Sequence, residues 1–117
     1  MSDDFQIVNR EPERAFLVGA QVRSERPLLE LDDSMDELTM LAETAGMTVV
    51  GQTTQNLQQI DPATYIGSGK VQEVITAVQD LDAQSVIFDD ELSPRHQREL
   101  ANLLGDDIKL LDRSALI

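Results

Sequence analysis

Four consecutive residues, Gly67, Ser68, Gly69 and Lys70, have the types and spacing best suited to holding a ligand. Glycines let the backbone approach a ligand closely, and backbone amides at a helix N-terminus can face an anion. Lys70 would add a positive charge, so the segment is a candidate phosphate or nucleotide site. The alternative is a glycine turn that merely begins a helix. The segment is not a Walker A loop, because Val71 stands where that motif has Ser or Thr and the earlier glycine is missing.

A second candidate is the acidic run Asp89, Asp90 and Glu91, which follows a short apolar stretch predicted to be a strand. Open α/β sheets bind ligands at the carboxyl ends of their strands, and Mg²⁺ prefers carboxylate oxygens. Three acids without a phosphate-binding motif are a weak indication of a metal, however. We favour a structural role for them, including an interaction with the dipole of the next helix, and predict no metal site.

Arg95, His96 and Arg98 form a third candidate, a small patch for contact with RNA or a protein partner near the start of a helix. The alternative is that this polar helix face is simply solvated. No serine has His and acid partners at a recognisable spacing, so no catalytic residue is predicted.

Composition limits which partners are plausible. The formal net charge is −13, from nine Lys and Arg against 22 Asp and Glu. Between Pro27 and Pro94 the sequence has thirteen acids and a single cation, Lys70. Because nucleic-acid binding depends on cations that neutralise phosphates, any RNA contact is expected to be local or to come from an attached segment.

The sequence contains no cysteine and one histidine, which excludes disulfides and a His-rich zinc site. No apolar run approaches the length of a membrane span, and the acidic start lacks the cationic opening of a signal peptide. We therefore expect a cytoplasmic protein.

Strands and helices alternate along the predicted chain. Strands are expected at residues 14–22, 47–54, 84–88 and 108–111, and helices at 34–45, 71–81 and 94–104. Ser34 and Glu37 have the spacing of a capping box, Ser93 is the expected N-cap of the third helix, and residues 67–69 are expected to form a flexible turn. This order predicts a three-layer α/β fold with a four-stranded, mainly parallel sheet. We favour strand order 2-1-3-4, with the first helix on one face and the other two on the opposite face.

Four segments, in this order and spacing, resemble the HflX-type GTPases. They are residues 41–46 (LAETAG) leading to 49–51 (VVG), 61–71 (DPATYIGSGKV), 86–94 (VIFDDELSP) continued by Gln97 and Arg98, and 111–117 (LDRSALI). The resemblance extends from about Glu13 to the last residue. It implies the N-terminal domain of such a GTPase, with the α/β domain at 13–113 and the start of a truncated helical hairpin at 114–117. Residues 1–12 are mostly polar and are expected to form a disordered tail.

The resemblance also implies a function. The parent protein would be a GTPase that binds the large ribosomal subunit and helps to split or rescue stalled ribosomes. Its GTP and magnesium would lie in a GTPase domain that this sequence lacks, so we expect no enzymatic activity here. The expected partners are the large subunit, the hairpin and the GTPase domain. In one alternative, Gly67 to Lys70 bind a second nucleotide, ATP; in another, the domain only docks onto proteins.

Overall fold

The computed structural model describes residues 11–23 and 28–117, with the backbone alone for residues 28 and 29. Four strands alternate with three α-helices, and a 3₁₀ turn follows the last strand. The strands are β1 (Arg14–Val22), β2 (Thr48–Leu57), β3 (Ser85–Phe88) and β4 (Lys109–Asp112). The helices are α1 (Leu28–Thr44), α2 (Ser68–Asp80) and α3 (Pro94–Leu104), and the 3₁₀ turn is Arg113–Leu116.

The four strands form one parallel sheet in the order β2-β1-β3-β4, which confirms the predicted order. The strand order reverses between β1 and β3. β1 is central and buried along most of its length, as its apolar sequence predicts. In parallel sheets such continuous apolar runs are expected, because both faces are covered by helices.

Two hydrophobic clusters lie on opposite faces of the sheet. Alternate residues of β1 point into each one: Phe16 and Val18 contribute to the first, and Ala15 and Leu17 to the second. The first cluster contains the buried residues of α2 and α3, namely Val71, Val74, Val78 and Leu100. The second contains those of α1, namely Leu31, Met35, Leu38 and Ala42. The predicted three-layer arrangement is therefore confirmed.

Helix α1 begins at Leu28 rather than at Ser34, so the predicted capping box is wrong. The longer helix buries Leu31, which lies before the predicted start, and also buries Met35. The helix packs closely on β1. A Cβ added at Gly19 would lie 2.5 Å from the sulfur of Met35.

Two further boundaries differ from prediction. β2 continues through the polar residues to Leu57 because β1 pairs with it along its whole length, with Val22 opposite Leu57. The predicted flexible turn is also wrong in part. Ser68 and Gly69 already belong to the first turn of α2, so the predicted start at Val71 was three residues late.

At the two ends of the chain, the structure describes part of what was predicted. Residues 1–10 of the predicted tail lie outside the described residues, and Glu11 and Pro12 are exposed without regular structure. Residues 114–116 belong to the 3₁₀ turn. None of the helices in the described part of the chain is long and apolar enough to cross a membrane.

Candidate functional site

The carboxyl edge of the sheet carries a buried ion pair. Asp89 directly follows β3 and Arg113 directly follows β4, and Phe88 pairs with Asp112 in the sheet, so the two residues are neighbours. The Arg113 Nη2 atom lies 2.5 Å from Asp89 Oδ1, and its Nε atom lies 3.2 Å from the same oxygen. The side chain of Asp89 is 1% exposed and that of Arg113 is 23% exposed.

Helix α1 completes this ion pair from the opposite side. Ser34 donates its hydroxyl to Asp89 Oδ2 at 2.8 Å, and its own hydroxyl and carbonyl oxygens accept from Arg113 Nη2 at 3.0 and 2.8 Å. Glu37 lies 3.5 Å from Arg113 Nη1. We call Ser34, Asp89 and Arg113 the edge clamp, because they join α1, β3 and β4.

The edge clamp lies beside the strand-order reversal between β1 and β3, the position where open α/β sheets bind ligands. A carboxylate bonded to a guanidinium and a hydroxyl is poorly placed to act as a base or to bind a cation. Glu91 is exposed and lies 3.3 Å from the Ser114 hydroxyl. Within residues 11–23 and 28–117 no group of three or more His, Cys, Asp or Glu residues could hold a metal ion. These contacts favour the structural role predicted for the acidic run.

The glycine segment forms the N-terminus of α2. Gly67 is its N-cap residue, with extended backbone angles, and donates its N–H to Gln55 Oε1 at 3.0 Å. No side chain caps the helix. Ser68 and Gly69 are exposed, and a Cβ at Gly69 would meet nothing within 4 Å. The first turn of α2 therefore presents its backbone to open space.

Lys70 turns away from that open space. Its Nζ atom lies 3.1 Å from the Thr53 hydroxyl on β2 and 3.0 Å from Glu73 Oε1 one turn along α2. Hydrogen bonds from Thr53 and then from Lys70 hold the pKa of Glu73 below its usual value. The structure thus brings Gly67, Ser68 and Gly69 together at the helix end, with the Lys70 charge bound to a carboxylate beside it.

His96 connects α3 to a turn that precedes α2. Its Nδ1 atom lies 2.9 Å from the Ser93 hydroxyl, and its Nε2 atom lies 3.0 Å from the backbone oxygen of Asp61. The ring makes an edge contact with Tyr65, with centroids 5.3 Å apart. Ser93 also accepts the His96 backbone N–H, so its predicted role as N-cap is confirmed. His96 is half-buried and bonded within the chain, whereas Arg95 and Arg98 are exposed on α3.

The turn that His96 contacts is held together by Asp61. Its Oδ1 atom accepts backbone N–H groups from Thr64 at 3.0 Å and Ala63 at 2.8 Å. These bonds, Thr64 first, hold the pKa of Asp61 below its usual value. Tyr65 closes the turn by pairing with Asp61, in a left-handed conformation with φ 68° that few non-glycine residues adopt.

The lowered pKa of Asp61 predicts a pH dependence of stability. A carboxylate whose pKa is lowered by folding stabilises the folded state. The stabilisation is complete at pH values above the aspartate reference pKa of about 3.9, and it is lost as the pH falls through the lower pKa of the folded state. We expect Asp61→Asn to be less stable than the native chain at neutral pH, and the difference to close as the medium becomes acidic. Urea unfolding at a series of pH values from neutral to acidic measures the difference in the free energy of unfolding between the two proteins. Asp80→Asn, at an exposed position on α2, removes the same charge and should show no such gap.

Sequence reasoning missed Ser34 and Arg113 as members of one site. A signal for the ion pair was nevertheless present. Asp89 comes immediately after one predicted strand, and Arg113 is the second residue after the next one. Carboxyl ends of neighbouring parallel strands meet at one edge of a sheet. Ser34 gave no such signal, because it enters the edge clamp from the middle of a helix.

Comparison with known proteins places the chain in a family. Residues 32–117 match the family described as GTP-binding GTPase N-terminal. The chain therefore belongs to this family of GTPase N-terminal domains. Its relatives include GTPase HflX of Alkalihalophilus pseudofirmus, 40% identical over 111 residues, and GTPase HflX of Caldanaerobacter subterraneus, 38% identical over 117 residues. The HflX-type resemblance of the sequence is confirmed.

The chain covers only part of these relatives. The matches span 95% and 100% of the chain but 25% and 26% of the two HflX proteins, so it corresponds to about a quarter of their length. Among solved structures, a GTP-binding protein from Sulfolobus solfataricus in complex with GDP has a TM-score of 0.64 at 20% identity. That match covers 89% of this chain and 28% of the other, and it supports the fold alone.

Proposed function

We propose that the chain is the ribosome-facing, GTPase-regulating domain of an HflX-type GTPase that acts on the large ribosomal subunit in ribosome splitting or rescue. Support comes from one observation above all: 40% identity to an HflX protein across 95% of this chain. In the proposal, GTP, magnesium and hydrolysis belong to the rest of the parent protein, and the domain itself catalyses nothing. It acts where ribosomes are, in the cytoplasm.

The charge distribution suggests how the domain contributes to ribosome binding. Its surface is acidic, but Arg95 and Arg98 are exposed side by side on α3. Two arginines can neutralise few phosphates, and affinity for RNA rises with the number neutralised. We therefore assign the domain a weak, local contact through Arg95 and Arg98, with His96 holding α3 in place. The main affinity comes from the helical hairpin proposed to begin at residues 114–117.

Cosedimentation with large ribosomal subunits tests whether the hairpin contributes most of the affinity and the domain only a weak contact. We expect the 117-residue chain to bind weakly and a version extended by the hairpin to bind much more tightly. Replacing both Arg95 and Arg98 with Ala should reduce the binding of the short chain about tenfold or more at low salt and flatten its salt dependence. Lys109→Ala removes a cation that begins β4 and is bonded to Glu13, and it is the control. Equal binding by the short and extended chains would refute the proposal.

A second candidate function is nucleotide binding at Gly67, Ser68, Gly69 and Lys70, with ATP as the candidate ligand. The observation in its favour is the exposed first turn of α2, which has no side-chain cap. Backbone amides at such a position attract phosphate oxygens. The ion pair between Lys70 and Glu73 argues against nucleotide binding, because a phosphate would have to compete with the Glu73 carboxylate for Lys70.

Calorimetry with ATP tests whether this site binds a nucleotide and whether Glu73 weakens that binding. If the site binds a nucleotide, Lys70→Ala should abolish binding, and Glu73→Gln should strengthen it several-fold because the competing negative charge is removed. Asp80→Asn, which removes a charge at the far end of α2, is the control. Absence of heat at millimolar ATP in both the native chain and Glu73→Gln would end this candidate and leave the glycines with a structural role.

A further inference from the structure

A groove runs between α3 and β4, the strand at one edge of the sheet. Its volume is about 440 Å³, within the range of ligand-binding clefts in proteins, and it is lined by Pro94, Gln97, Arg98, Ala101, Ile108 and Leu110. Ile108 and Leu110 pack against the hydrophobic cluster that joins the sheet to α2 and α3, so the floor of the groove is apolar. The groove therefore combines an apolar floor with one cation, and no acid is among its lining residues.

Within the described part of the chain, β4 is paired on one side only, with β3. The backbone N–H of Lys109 points to β3, where it donates to the oxygen of Gln84 at 3.0 Å. Because successive residues of a strand direct their backbone groups to opposite sides, the N–H and C=O of Leu110 point away from β3. An extended segment could bond to Leu110 and lie along β4 as a fifth strand.

The cation of the groove, Arg98, is exposed, and among residues 11–23 and 28–117 no carboxylate lies within ion-pair distance of it. Four other described cations are each bonded to a carboxylate: Arg14, Lys70, Lys109 and Arg113. The acids that precede β4, Asp106 and Asp107, come after the C-terminal end of α3, whereas Arg98 lies in its first half. In a chain with a net charge of −13, an unpaired arginine beside a groove without acids is available to the carboxylate of a partner.

The spacing of Arg98 and Ala101 suits alternate residues of a strand. The two residues are three positions apart, which is about 4.5 Å along the axis of α3. Alternate side chains of an extended segment point the same way and are about 6.6 Å apart. The length of the arginine side chain makes up the difference. A fitting segment therefore has a Val or Ile, which favour extended structure, and an Asp or Glu two positions away.

We propose that this groove binds an extended segment of a partner protein, which adds to the free edge of β4. The segment places an apolar residue on Ala101 and an acid, two positions away, on Arg98. RNA fits the groove less well, because the lining has an apolar floor, a single cation and no aromatic ring on which a base could stack. The proposal goes beyond the proposed function, since it assigns a protein partner to the edge of the sheet and does not depend on the ribosome. Arg95, the other arginine of the proposed ribosomal contact, is not among the lining residues.

Titration of the isotope-labelled 117-residue chain with a synthetic peptide, followed by NMR, tests the groove. The peptide is blocked at both ends and has the sequence Ser-Thr-Val-Thr-Glu-Thr-Val-Thr-Ser, so a valine stands two positions from the glutamate in either direction. We expect the amides of residues 97–101 and 108–112 to shift. Replacing the glutamate of the peptide with glutamine, or Arg98→Gln in the chain, should weaken binding about fivefold. The two changes together should weaken it no further, because both remove the same ion pair.

A second variant places an acid in the groove itself. Ala101→Glu is at an exposed position and should weaken binding of the glutamate peptide about tenfold or more, because like charges then meet. Asn102→Glu adds the same charge at the next exposed residue, outside the lining, and is the matched control. Absence of binding at millimolar peptide, equal effects of the two variants, or unshifted amides in β4 would overturn the proposal.

Two other occupants of the groove give different results, and either one would also overturn the proposal. If a short single-stranded RNA shifts the same amides and the peptide does not, the groove binds nucleic acid. If these amides shift as the concentration of the chain alone is raised, the occupant is a second copy. Cosedimentation with ribosomes is measured separately, so failure of either proposal leaves the other decidable.

Discussion

Replacing Arg113 with leucine is expected to lower the free energy of unfolding by about 3 kcal/mol. The substitution removes the cation from the Asp89 carboxylate, which is 1% exposed. The Ser34 hydroxyl still donates to Asp89, but a neutral hydrogen bond is weaker than one from a guanidinium and offsets less of the desolvation of a buried charge. Urea unfolding followed by circular dichroism gives the difference directly.

Two variants show whether burial is the cause. Lys109→Leu breaks a more exposed ion pair with Glu13 and should cost about 1 kcal/mol or less. The double variant Asp89→Leu/Arg113→Leu should recover much of the stability lost in Arg113→Leu, because apolar replacement of a whole buried ion pair is often neutral. If Arg113→Leu and Lys109→Leu cost the same, the edge clamp does not stabilise the domain as we describe.

The edge clamp also limits the chemistry available at the carboxyl edge of the sheet. In an open α/β fold that edge is the usual place for a ligand. Here the acid at the end of β3 is bonded to Arg113 at the end of β4 and to Ser34 of α1. The same bonds hold the 3₁₀ turn Arg113–Leu116 against α1.

The sheet could be predicted because its signals are local. β1 and β3 are short apolar runs, and helices alternate with them, so right-handed crossovers leave few possible strand orders. The third helix was also predictable, since Ser93 and Pro94 are residue types that favour the first positions of a helix. Boundaries failed where a partner elsewhere in the chain decides them. β2 extends through polar residues because β1 pairs with it as far as Leu57.

The site was harder to predict, because side chains have competing uses. Ser34 is a good cap residue, yet its hydroxyl bonds to Asp89, 55 positions away, and α1 continues past it toward its N-terminus. His96 was predicted as part of a contact patch, but its contact with Asp61 depends on how α3 lies against the turn before α2. The bond between Lys70 and Glu73 was foreseeable, since residues three apart on a helix are neighbours.

Replacing Phe88 with alanine is expected to have the largest effect on stability, a loss of about 4 kcal/mol. Phe88 ends β3, is 1% exposed, and packs in the cluster that joins the sheet to α2 and α3. It also makes an edge contact with Tyr65, with ring centroids 6.2 Å apart. Truncation leaves a cavity and removes the support beneath the strained Tyr65 turn. For a small domain, whose total stability is typically about 5–15 kcal/mol, such a loss brings unfolding close to physiological temperature.

Hydrogen exchange in Phe88→Ala distinguishes a local loosening of the Tyr65 turn from a loss of stability that is shared by the whole domain. Tyr65 and Asp61 exchange backbone hydrogen bonds at 3.0 and 3.2 Å, and their amides should lose protection from hydrogen exchange beyond the global loss in Phe88→Ala. Leu103→Ala, at an exposed position on α3, should change stability by about 0.5 kcal/mol or less and leave these amides unaffected. Unchanged relative protection of the turn in Phe88→Ala would mean that Asp61 and His96 hold it without the core.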